Sequence, residues 1–113
     1  SPLAAGRVAR ADWHAETMRS KTDKVAHSKY DSTEETDRHI AARIGELAEK
    51  YSATMSQIAF AWHFAKGVAA PIVGATKEKY LDEAAGAFDA HLTAEDVAYI
   101  DELYVPHKIV GAL

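Results

Sequence analysis

The sequence predicts an α/β fold, of which these 113 residues form a mostly helical part. Apolar residues recur at the 3.6-residue period of a helix in two segments between residues 33 and 66. Residues 68–73 are short, apolar and β-branched, which is typical of a strand buried on both faces of a parallel sheet. One strand cannot form a sheet alone, so the chain is expected to belong to a larger fold or to pair with something else.

The first helix is predicted at about residues 33–51. Ser32 and Glu35 have the spacing of a capping box, in which each side chain satisfies a free backbone N–H of the first turn. The helix would carry one apolar stripe, formed by Ile40, Ile44, Leu47 and Tyr51.

The second helix is predicted at about residues 54–66. Thr54 and Gln57 form another potential capping box, and Gly67 is a plausible C-terminal stop. The apolar stripe here consists of Ile58, Ala61, Trp62 and Ala65, so we expect Trp62 in the core.

Two more helices follow the predicted strand, at about residues 77–87 and 93–103. Thr76 is expected to cap the first of them, and Thr93 with Asp96 makes a third capping box. The inward residues are expected to be Leu81, Ala84 and Ala85 in one helix and Val97 and Ile100 in the other. The acidic residues of the last helix are predicted to form its solvent-exposed face: Glu95, Asp96, Asp101 and Glu102.

The remaining segments are predicted to be irregular. Residues 1–10 read as a strand end that runs into a loop, and residues 4–31 read as one long loop that could act as a lid or binding loop. Trp13 would be a lid residue or a surface anchor. Pro106 discourages helix in the tail, residues 104–113.

The composition limits the classes of function. The net charge of -4 gives no general attraction to nucleic acid or to anionic membranes. The chain has no cysteine, which excludes disulfides and thiolate chemistry and is compatible with the cytoplasm. No apolar run approaches the ~20 residues of a membrane helix. Six scattered histidines, none at i, i+4 from another, favour no metal site.

The segment Gly74-Ala75-Thr76-Lys77 lies between the predicted strand and the third helix. A turn that leads into a helix N-terminus binds anions well, because backbone N–H groups point outward and the helix dipole favours negative charge. Gly74 would allow close approach of a phosphate, and Lys77 and Lys79 would supply cations. The alternative is an ordinary capped helix with solvated lysines.

Four segments in order carry a resemblance to a known family: SPLAAGRVAR, SQIAFAWHF, PIVGATKEKYLDEAAGA and LTAEDVAYIDELYVPHKIVG. Together they resemble the C-terminal third of an aldo-keto reductase, in the branch whose members end in a Tyr-x-Pro-His tail. The resemblance implies a (β/α)₈ TIM barrel, the cofactor NADP(H), and reduction of aldehydes or ketones to alcohols.

The resemblance also implies site residues. Ser1, Pro2 and Leu3 would contact the pyrophosphate of the cofactor. Gly74, Thr76 and Lys77 would hold the adenosine 2′-phosphate, and Tyr80 and Glu83 would lie near the adenine. Arg10 lies in a loop from which some relatives send a cation to the same phosphate. Tyr80 departs from the Gln or His that family members often carry there.

The family's catalytic Asp, Tyr, Lys and His belong to the first half of the barrel, which these 113 residues do not include. Because the chain begins at Ser1 and not at Met, an upstream segment is expected to have been removed. We therefore expect this chain alone not to reduce carbonyl compounds. The physiological carbonyl substrate does not follow from the sequence.

Two alternatives remain open from the residues themselves. Residues 44–65 resemble a helix-turn-helix, whose second helix would offer DNA Ser56, Gln57, Phe60, His63 and Phe64. An unpaired strand edge would also suit a standalone interaction domain that self-associates.

Overall fold

A computed structural model describes residues 2–13, 24 and 31–108. Within these ranges it has four α-helices: α1 (Glu34–Tyr51), α2 (Met55–Ala65), α3 (Glu78–Ala85) and α4 (Ala94–Asp101). Three short 3-10 helices lie at Ala4–Ala9, Asp31–Thr33 and Gly86–Asp89. The same ranges contain no strand and no helix that is long and apolar enough to cross a membrane.

The core lies where α1, α2 and α4 meet. Its centre consists of the buried residues Ile44, Leu47, Ala48, Ile58 and Ile100. Ile58 of α2 has no exposed surface, and burying such a side chain stabilises the fold by roughly 1.5–3 kcal/mol. The predicted stripes of the first two helices thus lie on the packed faces, with Ile40, Tyr51 and Trp62 partly buried around the centre. The exception is Ala65, predicted to lie on the stripe of α2, which is exposed at the end of that helix.

The connection from α1 to α2 is a tight turn. Ser52 adopts a left-handed conformation (φ 50°), and the backbone N–H of Ala53 donates to the carbonyl of Ala48 at 2.9 Å. Thr54 and Gln57 then form the predicted capping box, which the structure confirms. At the other end of α2, Gly67 has a positive φ of 83° and stops the helix as predicted.

Helix α4 is held against α1 by a buried carboxylate. Asp96 accepts hydrogen bonds from Lys50 Nζ at 2.7 Å and from the hydroxyl of Tyr51. Burial alone would raise the pKa of Asp96, but the hydrogen bonds from Lys50 and Tyr51 outweigh that effect and hold it well below its usual range.

The prediction that Asp96 lies on the solvent-exposed face of α4 is therefore wrong, because Asp96 is buried. The capping box with Thr93, which the structure confirms, turns the Asp96 side chain back toward the helix start and onto α1. Asp101 is also engaged, since it accepts from Trp62 Nε1 at 2.8 Å and from Lys66 Nζ at 2.7 Å.

Two predicted helix caps are also wrong. Ser32 lies in the 3-10 helix Asp31–Thr33, so the N-cap of α1 is Thr33, which makes no side-chain cap hydrogen bond. The Thr33 hydroxyl donates instead to Asp37 at 2.6 Å. Helix α3 begins one residue later than Thr76 would allow, with Lys77 as its N-cap.

The predicted strand at residues 68–73 is not formed, and its two faces are not both buried. Ile72 is 86% exposed and Val68 is 40% exposed. The physical reason is that a strand needs a neighbouring strand for its backbone hydrogen bonds, and the described residues offer none.

Helix α3 is the most exposed of the four and has no buried residue. Leu81, predicted to face inward, is 55% exposed, Ala85 is exposed and Ala84 is half-buried. The helix packs on α2 and on the 3-10 helix Gly86–Asp89, where Ala87 is buried instead.

Residues 4–9 form a 3-10 helix and not the predicted loop, although Ala5 (φ 57°) and Gly6 (φ 90°) interrupt its dihedral angles. This helix packs on α1 and α2. Trp13, beyond it, has the guanidinium carbons of Arg7 and Arg38 at 5.3 and 5.5 Å from its ring centroid. Trp13 is half-buried, so the structure favours its role as an anchor.

Candidate functional site: the turn before helix α3

The segment Gly74–Lys77 leads directly into α3, and each of its residues is exposed. Lys77 has extended dihedral angles (φ -139°, ψ 142°) and provides no side-chain cap for the first turn. A Cβ atom added at Gly74 would meet nothing within 4 Å, so the space beside its backbone is open. In the part of the chain that the structure describes, the side chains of Thr76 and Lys77 have no hydrogen-bond or ion-pair partner.

The chemistry of this turn suits an anion. The first-turn N–H groups of α3 lack a side-chain acceptor, whereas α2 and α4 each have a capping box. Such N–H groups and the positive end of the helix dipole favour a phosphate oxygen. The residues present therefore fit a phosphate, with a hydroxyl at Thr76 and an ammonium at Lys77 beside it.

Tyr80 and Glu83 lie one turn apart on α3, as their spacing predicted. Lys79 Nζ lies 5.2 Å from the centroid of the Tyr80 ring, which is 41% exposed. Glu83 is half-buried, and its backbone carbonyl accepts a hydrogen bond from Gln57 Nε2 at 3.0 Å. The site helix is thus tied to the first turn of α2.

Two residues that support this helix were missed at the sequence level. Gln57 serves the capping box of α2 and also holds α3 through Glu83. Gly86 follows α3, and a Cβ atom there would overlap the Gln57 side-chain nitrogen. The Gln57 capping signal was visible in the sequence, but its second partner depends on tertiary packing.

The other predicted part of the site lies at the start of the chain. Leu3 precedes the 3-10 helix Ala4–Ala9, and its carbonyl accepts from the N–H of Gly6 at 2.8 Å. Pro2 and Arg10 flank the same helix and are half-buried. Ser1 lies outside the described residues.

Helix α2 connects the two parts. Both the 3-10 helix Ala4–Ala9 and α3 pack on it. Among the described residues, no hydrogen bond or ring contact joins Pro2, Leu3 or Arg10 to the Gly74–Lys77 turn. The structure therefore places both parts against one helix, with no hydrogen bond or ring contact between these described residues.

A groove of about 230 Å³ lies at the start of α1, where the tail passes over it. Its lining includes hydroxyls, one carboxylate and a histidine: Ser32, Thr33, Thr36, Asp37, Tyr104, Val105 and His107. The ring of His107 lies edge-on to Tyr104, with centroids 6.5 Å apart.

The helix-turn-helix alternative conflicts with the packing of α2. Ser56 and Phe60, two of the side chains that such a motif would present to DNA, are buried. Gln57 is engaged by Thr54 and Glu83.

Residues 2–13, 24 and 31–108 also contain no group of three potential metal ligands.

Comparison with known proteins gives the family. The model of the aldo/keto reductase family matches residues 1–105. A putative aryl-alcohol dehydrogenase of Schizosaccharomyces pombe is 39% identical over 114 residues, covering 100% of this chain and 32% of its own length. The versiconal hemiacetal acetate reductase of Aspergillus parasiticus is 36% identical over 110 residues, covering 96% and 32%. The chain belongs to the aldo/keto reductase family.

A further relative, the aldo-keto reductase dtxS3 of Metarhizium robertsii, is 34% identical over 97% of this chain and 30% of its own length. The chain thus spans about a third of the length of these curated relatives. Its family has the TIM-barrel fold, and the described part of this chain is mostly helical, as one part of such a barrel can be.

Proposed function

We propose that this chain is the NADP(H)-binding portion of an aldo-keto reductase that reduces aldehydes or ketones to alcohols by hydride transfer. The observation that carries the proposal is the turn before α3, which is exposed, has no side-chain cap and is flanked by the free side chains of Thr76 and Lys77 in the described structure. Membership of the aldo/keto reductase family supports the class of reaction.

Each residue of the turn has a role in this proposal. Lys77 and Thr76 bind the adenosine 2′-phosphate together with the first-turn N–H groups of α3, and Gly74 leaves room for it. Tyr80 stacks on the adenine, and Glu83 accepts from its exocyclic amine. Lys77 is what favours NADP(H) over NAD(H), since the two cofactors differ by that phosphate.

The first part of the site completes the cofactor contacts. Ser1, Pro2 and Leu3 approach the pyrophosphate, and Arg10 adds a cation near the 2′-phosphate. When bound, the nicotinamide supplies the hydride. The chain's own residues hold the phosphates and the adenine and so orient the cofactor.

At the level of the whole protein, we propose that the chain is the C-terminal third of the barrel, in the branch that carries the Tyr-x-Pro-His tail. The substrate would be a small carbonyl compound, and the setting would be the cytoplasm. Two of the relatives carry the names putative aryl-alcohol dehydrogenase and versiconal hemiacetal acetate reductase. Both names are consistent with alcohol and carbonyl chemistry.

The test compares Lys77→Ala with Lys108→Ala. Both remove one lysine charge from an exposed position, but Lys108 lies in the tail. Isothermal titration of the purified chain with NADPH and with NADH measures each affinity. We expect Lys77→Ala to weaken NADPH binding about tenfold, the effect of losing one charge-assisted hydrogen bond.

NADH affinity and the Lys108→Ala variant should be unchanged. Equal losses for both cofactors would show that Lys77 does not contact the 2′-phosphate. Absence of NADPH binding by a folded chain, as judged by circular dichroism, would overturn the proposal for the isolated chain.

A further inference from the structure

The side-chain amide of Gln57 makes one hydrogen bond within its own helix and another to a different helix. Its Oε1 accepts from the backbone N–H of Thr54 at 3.0 Å, within the capping box of α2. Its Nε2 donates to the backbone carbonyl of Glu83 at 3.0 Å, across to α3. A capping box uses the side-chain acceptor alone, which a glutamate supplies equally well. The amide donor is therefore what glutamine adds at this position.

The acceptor of this second bond lies in the last turn of α3, since the helix runs from Glu78 to Ala85. The last turn of a helix has more carbonyls than its own N–H groups can serve, so it can accept a donor from outside. Glu83 is also the residue whose side chain we propose to contact the adenine. The Gln57 bond thus holds the backbone from which that contact is made.

Gly86 leaves the space that this bond needs. A Cβ atom built there would lie 2.4 Å from Gln57 Nε2, which is closer than two such atoms can approach. The dihedral angles of Gly86 (φ -63°, ψ -14°) are ones that any residue adopts. What the structure requires of residue 86 is therefore room for the Gln57 amide, and not a special backbone conformation.

A second contact joins α2 to the segment that follows α3. Phe64 lies two turns after Gln57 on the same face of α2, and its ring stacks on Phe88 with centroids 4.8 Å apart. Phe88 belongs to the 3-10 helix Gly86–Asp89. Of these two contacts, the Gln57 bond is nearer in the chain to the Gly74–Lys77 turn. Its loss would leave α3 free to pivot about the far contact.

We infer that Gln57 is a positioning residue of the cofactor site, which holds α3 in the orientation that binds the adenine. It acts through the backbone of Glu83 and not by touching the cofactor. A helix that is already held in its binding orientation loses less freedom when the cofactor binds, so its affinity is higher. The inference rests on the proposed function, because it needs the cofactor to bind at α3.

Two variants break the bond from opposite sides. Gln57→Glu keeps the acceptor for the Thr54 N–H but places an oxygen where Nε2 donates. Gly86→Ala displaces Nε2 without adding a charge, so it separates loss of the bond from repulsion between a new carboxylate and the phosphates. Each variant should raise the dissociation constants of NADPH and NADH by about threefold to tenfold, the effect of one lost hydrogen bond.

Isothermal titration of the folded chain, as judged by circular dichroism, measures both affinities. The two cofactors should lose equally, because both carry the adenine, whereas Lys77→Ala should affect NADPH alone. The double variant Gln57→Glu/Gly86→Ala should lose no more than the weaker-binding single variant, because both changes remove the same bond. Amide hydrogen exchange should quicken in α3 relative to α2 in both single variants.

Thr54→Ala is the control for a purely structural effect. It removes the hydroxyl that caps the Gln57 N–H and leaves both bonds of the Gln57 side chain in place. It should lower the resistance of the chain to urea and leave both cofactor affinities unchanged.

Three results would overturn the inference while leaving the proposed function intact: unchanged affinity in either folded single variant, additive losses in the double variant, or an equal loss from Thr54→Ala. Absence of NADPH binding by the unaltered folded chain would overturn the proposed function, and this inference with it.

Discussion

Asp96 shows how one buried carboxylate joins two helices. It belongs to the capping box of α4 and at the same time accepts from Lys50 and Tyr51 at the end of α1. Removing its side chain would leave the backbone N–H of Thr93 and the donors of Lys50 and Tyr51 without their acceptor, while the Thr93 hydroxyl could still cap the first turn of α4. Its side chain therefore contributes to helix start and helix packing together.

We predict that Asp96→Ala lowers the free energy of unfolding at neutral pH by about 1–3 kcal/mol, because the Thr93 N–H, Lys50 and Tyr51 lose their hydrogen bonds to the buried carboxylate. Urea unfolding followed by circular dichroism measures the change. Glu95→Ala, at the exposed neighbouring position, is the control and should have little effect. A loss no larger than that of the control would contradict the structural role of Asp96.

The depressed pKa of Asp96 also predicts a pH dependence with a definite sign. Since the folded pKa lies below the unfolded one of about 3.9, the unfolded state binds more protons as the solution is acidified. The stabilisation is complete above about pH 5 and is lost as the pH falls toward the folded pKa. Asp96→Asn should show less loss of stability between neutral and acidic pH than the unaltered chain does.

At the scale of elements, the structure separates helices that carry the core from one that does not. Helix α1 buries Leu47 and α2 buries Ile58, whereas α3 leaves Leu81 55% exposed. The three residues are alike in size and hydrophobicity. The difference is the neighbouring element that each helix has.

We therefore predict unequal costs for the same kind of truncation. Leu47→Ala should lower the free energy of unfolding by about 2–5 kcal/mol, as is usual for a buried leucine. Leu81→Ala should change it by less than about 0.5 kcal/mol, as is usual at the surface. Chemical denaturation of both variants measures this, and similar losses would show that Leu81 is packed in solution.

The same contrast explains what the sequence could predict. Periodicity located the packed faces of α1 and α2, and capping spacing located two helix starts, because these signals are local. The burial of residues 68–73 and Leu81 depends on an element that lies elsewhere. The second role of Gln57 and the burial of Asp96 depend on side chains 26 and 45 residues away, which no local pattern reports.

The candidate site likewise has one part that local sequence signals predict and another part that depends on tertiary packing. The turn before α3 could be found from Gly74, Thr76 and Lys77, because a phosphate site needs a helix start with small and cationic residues. Its support by Gln57 and Gly86 required the packing of α2 on α3. Capping by Thr76 was wrong, because the helix begins after Lys77 and leaves the first turn open.

At the scale of the molecule, binding a cofactor and catalysing its reaction are separate properties. Reduction of a carbonyl needs a proton donor whose pKa is lowered toward the working pH. Among the described tyrosines with a shifted pKa, the shift is upward. Hydrogen bonds to Asp96 and Glu46 raise the pKa of Tyr51 and Tyr99. Both carboxylates hold these hydroxyls at the contact of α1 and α4.

We accordingly predict that the 113-residue chain does not oxidise NADPH when an aldehyde is added, even where it binds NADPH. The measurement is the absorbance of NADPH with a benzaldehyde-type substrate, beside the titration that establishes binding. The same assay with Tyr51→Phe and Tyr99→Phe tests the argument directly. Steady turnover that either variant abolishes would place a working proton donor within this chain, and the division between binding and catalysis would then be wrong.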